Sequence, residues 1–201
     1  MTVVSEPALD APALDAGAAR RAMIDSQLRP SGVNDPRVLA RFAEVAREDF
    51  VPAASRAVAY IDRAVPLGNG LVLAPALTHG QMLVEAGPRP DDRALLVDGG
   101  TGYLAALLKP MVAALDVIAP GDKPRGKGYT LLLIDGAIEE LPATLAAALN
   151  DDGRVVTGLF ERGVPRLAVG RKAAGGVGFL TLGEADFAPL AAYARPRQWS
   201  F

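Results

Sequence analysis

Residues 93–108, Arg-Ala-Leu-Leu-Val-Asp-Gly-Gly-Thr-Gly-Tyr-Leu-Ala-Ala-Leu-Leu, constrain this chain more than any other stretch. The apolar run Ala94 to Val97 predicts a buried parallel strand, since a strand covered on both faces needs no polar alternation. Asp98-Gly99-Gly100-Thr101-Gly102 predicts a tight turn, and Tyr103 onward the first turns of a helix. Strand, glycine turn and helix in that order set backbone N–H groups and the positive end of a helix beside a glycine-lined gap. α/β proteins hold adenosine-containing cofactors in this way.

Downstream the pattern alternates strand and helix, the mark of a parallel sheet. Strands are expected over 112–117, over 130–134 ending in Asp135-Gly136, and over 154–159. A helix is expected over 138–149, with Leu141, Leu145 and Leu149 four apart. Residues 166–171 and 177–183 read as two strands joined through Gly175-Gly176 with no helix between them, so the sheet closes on an antiparallel hairpin. Upstream, residues 18–28 read as a helix stopped by Arg29-Pro30-Ser31-Gly32. Asp35 and Pro36 suit the cap and first position of another, whose inner face holds Val38, Leu39, Phe42, Val45 and Ala46. Residues 53–70, broken by Pro66, Gly68 and Gly70, read as loop; a helix opens at Pro75 and stops at Gly87. The expected organisation is a disordered tail over 1–17, a helical cap with a substrate loop over 18–90, and a nucleotide-binding domain over 91–201.

Composition narrows the function. The 201 residues carry 21 basic and 23 acidic side chains with no long run of either sign, so nothing points to nucleic acid or to an anionic membrane surface. The absence of cysteine excludes disulfides and thiol chemistry, and a single histidine, His79, speaks against a zinc site. The first twenty residues lack a basic start and an apolar core, and no apolar run is long enough to span a bilayer. These features point to a soluble cytoplasmic protein.

Ordered motifs then mark a family. Met23, Gln27-Leu28, Asp35, Val38-Leu39, Arg47-Glu48-Asp49-Phe50-Val51-Pro52, Ala59-Tyr60-Ile61-Asp62, Pro66-Leu67-Gly68-Asn69-Gly70 and Pro75 are followed by the glycine motif and helix at 100–108. In this order and spacing the chain resembles the protein-L-isoaspartate O-methyltransferase family, as a shortened or degenerate member. The resemblance covers nearly all of residues 21–201. It implies a Rossmann-like, seven-stranded S-adenosylmethionine (SAM) methyltransferase sheet with helices on both faces. The implied reaction is transfer of a methyl group from SAM to the free α-carboxylate of an isoaspartyl residue in a protein or peptide. An ionised carboxylate is already a nucleophile, so a chain with one histidine and no cysteine suffices: it need only align the reactants and exclude water.

The candidate cofactor residues are Asp98, Gly99, Gly100, Thr101, Gly102, Asp116 and Asp135. Each has a plainer alternative. The glycines either admit the cofactor or simply shape the turn. Asp98, where the family has its first glycine, either faces the cofactor's amino group or caps the next helix; Leu96 stands where the family has an acid. Asp116 either accepts from ribose hydroxyls at a strand end or is a loop aspartate. Asp135 either lines the site or forms a turn. His79 is expected as a packed or surface residue, Trp199 and Phe201 as anchors of the C-terminus, and Lys123, Arg125 and Lys127 as a solvated loop.

Two departures follow. Where the family has T-I-S-x-P, whose serine meets the isoaspartyl substrate, this chain has Leu71-Val72-Leu73-Ala74-Pro75. Leu73 cannot hydrogen-bond a carboxylate, and restoring serine there is expected to raise transfer if that loop is the sole defect. Second, residues 117–129 are too few for the two crossovers and extra strand of a full sheet, since one parallel crossover takes at least about 10–12 residues. A helix–strand–helix block of roughly 30 residues is missing on the measure of a βαβ unit, and with it, by the resemblance, contacts to the adenine. Two rivals remain: a non-catalytic remnant of the fold used for binding or assembly, and an NAD-binding oxidoreductase, because residues 100–105 also fit G-x-G-x-x-[GA].

Overall fold

The computed structural model describes residues 15–173 and 176–195. Helix α1 (Ala16–Met23) starts inside the stretch expected as a tail, because the Asp15 carboxylate accepts the Ala18 N–H at 3.0 Å and caps it. The rest of that tail lies outside the described residues, as do Trp199 and Phe201. The helical path continues through a wide turn at Ile24–Leu28 and a tight one at Arg29–Ser31. Helix α2 (Pro36–Glu44) is capped by Asp35, which accepts the N–H groups of Arg37 and Val38, and it buries Val38, Leu39 and Phe42.

The loop expected over 53–70 is instead a 3-10 turn at Ala53–Val58 and a hairpin of β1 (Val65–Gly68) with β2 (Leu71–Leu73). Asn69 and Gly70 have φ of +51° and +77°, the two-residue turn whose twist matches a hairpin. Helix α3 (Ala76–Ala86) follows Pro75 and ends at Gly87, as its sequence signals indicate.

The main sheet contains β3 (Arg93–Val97), β4 (Ala114–Ile118), β5 (Tyr129–Ile138), β6 (Leu149–Glu161), β7 (Val164–Ala173) and β8 (Gly176–Glu184), in the order β4-β3-β5-β6-β7-β8. The first four are parallel, β7 runs antiparallel to β6 and β8 antiparallel to β7, so the expected C-terminal hairpin is present. Helix α4 (Tyr103–Leu108) links β3 to β4. The helix expected over 138–149 shrinks to α5 (Ala143–Ala148). Pro142 explains this: it lacks an N–H and disfavours helical backbone at the residue before it, so the leucine spacing runs across a break.

The sheet has six strands rather than seven among the described residues. Residues 119–128, between β4 and β5, contain neither helix nor strand. The consequence shows in the packing. Along β3 and β5 the buried residues alternate between two clusters, Ala94, Leu96, Leu131 and Leu133 on one face, Leu95, Val97, Leu132 and Ile134 on the other. The first face is covered by side chains of α1, α2, α3 and α4. The second is covered by Leu145 and Ala148 of α5 with Tyr193. A right-handed crossover from β4 back to β5 would cover this second face, because α4 covers the first on the way out. The helix of the missing block that would return the chain to β5 therefore belongs on this second face.

At the opposite edge of the strands Asp92 ties the sheet together. Buried just before β3, its carboxylate accepts from Thr130 Oγ1 of β5 at 2.7 Å, from the Arg89 N–H at 2.7 Å and from Arg154 Nη2 of β6 at 2.5 Å. Burial pushes this carboxyl's pKa up, but the bonds from Thr130, Arg89 and Arg154 outweigh it and hold the group below its ordinary value. Among the described residues no helix is long and apolar enough to cross a membrane.

Candidate functional site

The chain leaves β3 for β4 on one side while β5 lies on the other, so a crevice opens at the carboxyl ends of β3 and β5. A cavity of about 450 Å³ fills it. Asp98, Gly99 and Gly100 after β3, with Asp135 and Gly136 of β5, line the base. The β1–β2 hairpin gives one wall through Leu71, Val72 and Ala74; Pro120 and residues 187–192 give the other. That second wall is strapped down: Ala137 N–H donates to Ala188 O at 2.8 Å, Leu190 N–H to Ala137 O at 2.9 Å, and Gly121 N–H to the Tyr193 hydroxyl at 3.0 Å.

Asp98 closes its own turn rather than capping α4, whose N-cap is Gly102 with no side-chain cap. Its two oxygens accept from Gly100 N–H (3.1 Å), Thr101 N–H (3.1 Å) and Gly102 N–H (2.9 Å). The amide groups expected to face a ligand are thus turned onto the chain's own carboxylate. The turn is a shaped, amide-neutralised rim, and Asp98 still borders the cavity. Gly99 is required by close approach, since a Cβ there would stand 2.6 Å from the Asp135 carbonyl oxygen. We expect Gly99→Ala to cost about 1–3 kcal/mol in a denaturant titration, the usual toll of overpacking.

The β5–β6 register slips between Ile134 and Ala137, and this irregularity falls at Asp135. Asp135 is 6% exposed; its Oδ1 lies 2.9 Å from His79 Nε2, and the Thr101 hydroxyl donates to Oδ2 at 3.5 Å. His79 is completely buried on α3, as expected of a packed residue, with its ring 5.6 Å from that of Tyr103. The carboxylate it holds was not foreseen. Arg47, also buried, donates to the carbonyls of Ala59 (2.7 Å) and Ala74 (2.5 Å) and stacks over Tyr103 at 5.0 Å, pinning the hairpin wall. Burial lowers its pKa, with Tyr103 and Asp135 acting the other way.

Three expected placements change. Asp116 lies inside β4, not at its end, and away from the cavity: its carboxylate accepts from the Tyr129 hydroxyl at 2.6 Å and pairs with Arg93 at 3.5 Å. The carboxylate past the end of β4 is Asp122, which with Asp98, Lys123 and Arg125 lines a recess of about 440 Å³ adjoining the cavity. Lys123 and Arg125 thus border the site, although their exposure fits the expected solvated loop. Leu73 is fully buried in the first core cluster, while Ala74 lines the cavity. Serine at 73 would therefore sit in the core, not against substrate. We expect Leu73→Ser to cost about 3 kcal/mol by cavity formation and hydroxyl burial, with no gain in transfer, read from melting temperature beside an activity assay.

Comparison with known proteins decides the ancestry. The family model for protein-L-isoaspartate(D-aspartate) O-methyltransferase matches residues 18–119. A protein-L-isoaspartate O-methyltransferase of Koribacter versatilis is 31% identical over 94% of this chain and 96% of its own length. The chain belongs to the protein-L-isoaspartate O-methyltransferase family. A relative of that name from Methanoregula boonei is 30% identical over 75% of this chain and 82% of its own. The fold agrees: a crystal structure described as this family's enzyme from Plasmodium falciparum, in complex with S-adenosyl-L-homocysteine (SAH), superposes with a TM-score of 0.69 at 16% identity, covering 88% of this chain and 98% of that one. The family-model match stops at residue 119, where the missing block would begin, and the 216-residue alignment with the Koribacter relative exceeds this chain's own 201 residues.

Proposed function

We propose that this chain transfers the methyl group of SAM to the free α-carboxylate of isoaspartyl residues in damaged proteins or peptides. The observation that carries the reading is the cavity at the β3–β5 switch point in a chain of this family. Its volume, about 450 Å³, lies within the roughly 300–1,000 Å³ usual for small-molecule sites. The residues fit SAM: the glycine rim at 98–102 admits backbone-close contact, Asp135 offers an anion to a cationic ligand, and the recess beside Asp122 offers polar groups to a ribose. The relatives' names and the SAH complex of the Plasmodium neighbour support the same cofactor.

When bound, SAM supplies an electrophilic methyl on a sulfonium that departs as a neutral thioether. The protein's work is then alignment and exclusion of water. Residues 187–192 and the β1–β2 hairpin close over the base from both sides, and Arg47 keeps the hairpin in place through the Ala74 carbonyl. We place residues 18–90 on the substrate side and 91–201 on the cofactor side, and the activity in the cytoplasm, a location that the cysteine-free composition favours. The antiparallel β6–β8 end and the family membership weigh against an NAD-binding oxidoreductase.

The test is methyl transfer from methyl-labelled SAM to an isoaspartyl peptide and to its normal aspartyl twin. We expect base-labile label in the first alone. Label in neither would sink the enzymatic reading and favour the non-catalytic one, for which the missing block is the motive.

A further inference from the structure

We propose that His79 is a positioning residue, which holds the Asp135 carboxylate from behind as the counter-charge to the cationic aminoacyl-sulfonium part of the cofactor. This rests on the reading of the cavity as the SAM site.

The cavity base carries two carboxylates of different standing. Asp98 is consumed by three backbone N–H groups. Asp135 is almost as buried as the core yet has one short contact, His79, and a Thr101 hydroxyl at the limit of bonding distance. Arg47, the buried cation whose field reaches it, spends two of its nitrogens on backbone carbonyls and makes no ion pair with it. A buried carboxylate so thinly partnered is unfavourable unless a cation arrives.

Hydrogen accounting at His79 says where the negative charge stays. With Asp135 as the ionised partner, its oxygens only accept, which assigns the hydrogen between the two groups to Nε2. Nδ1 is buried and has no partner among the described residues. A neutral ring leaves a bare lone pair there, whereas a second ring hydrogen would be a buried donor with nothing to receive it. In this arrangement a neutral ring leaves the charge of the pair on Asp135 facing the cavity, with the ring fixed by α3 and the flank of Tyr103.

SAM has a sulfonium and an ammonium, SAH only the ammonium, and 5′-methylthioadenosine neither. Calorimetric titration of each into the wild type, His79→Leu, His79→Gln and Asp135→Asn, with melting temperatures alongside, separates positioning from packing. We expect His79→Leu and Asp135→Asn each to weaken SAM by about tenfold or more while methylthioadenosine changes less than about twofold. His79→Gln, whose amide still donates, should recover most of the SAM affinity. An SAH loss equal to that of SAM assigns the partner as the ammonium; a smaller one assigns the sulfonium. Equal losses for all three ligands, or an unchanged SAM affinity in Asp135→Asn, would overturn the proposal. Failure of the wild type to bind SAM and SAH would instead overturn the cofactor reading beneath it.

Discussion

Replacing Asp98 by alanine should abolish measurable SAH binding and destabilise the fold by about 4 kcal/mol. Three backbone N–H groups, of Gly100, Thr101 and Gly102, converge on its carboxylate at 2.9–3.1 Å. Bonds to a charged acceptor contribute about 1.5–3 kcal/mol each and are not additive at one side chain, which sets the total below their sum. The rim at 98–102 would open, because its three amides lose the acceptor that tethers them and the glycines at 99, 100 and 102 leave the backbone free to move. Asn at 98 keeps an acceptor oxygen and should recover roughly half the loss, since the neutral oxygen bonds about half as strongly. Urea titration reads the stability and calorimetry the binding. An alanine variant that bound SAH like the wild type would show that the turn needs no carboxylate.

Asp92→Ala should cost about 3–5 kcal/mol, because it strands the Arg154 guanidinium without its buried partner and frees the Thr130 hydroxyl. Asp92 sits at the end of the strands away from the cavity. The variant that remains folded should therefore bind SAH normally, in contrast to Asp98→Ala. Its pH dependence has a definite sign. Since the folded chain holds this carboxyl below its ordinary value, its stabilisation is complete above about pH 4, the usual unfolded value, and disappears as pH falls through the lower folded one. The wild type should lose stability across that acid window more steeply than the variant, as urea midpoints taken from pH 5 downward would show.

Local signals read well where one stretch of chain carries the whole instruction. The Ala94–Val97 run, the Asp35-Pro36 start of α2 and the hairpin of β7 and β8 all form as their residues indicate. The short segment before Tyr129 correctly announced a missing strand. Errors arose where a short-range cue competed with another. Pro142 cut the helix that the leucine spacing suggested, and the Asn69-Gly70 turn was hidden among glycine and proline punctuation. The site was harder, because its partners are remote in sequence. His79 and Asp135 are 56 positions apart, and residues 187–192 carry no motif that places them over the cavity. For Asp98 the sequence suggested a helix cap or a cofactor contact, whereas its carboxylate takes up the amides of the turn before the helix.

The most direct measurement is a calorimetric titration of the wild-type chain with SAH and, separately, with NAD. We expect saturable one-to-one binding of SAH, lost in Asp98→Ala and retained in folded Asp92→Ala, and no heat from NAD. Absence of SAH binding, or binding of NAD in its place, would contradict the assignment of the β3–β5 cavity as a SAM site.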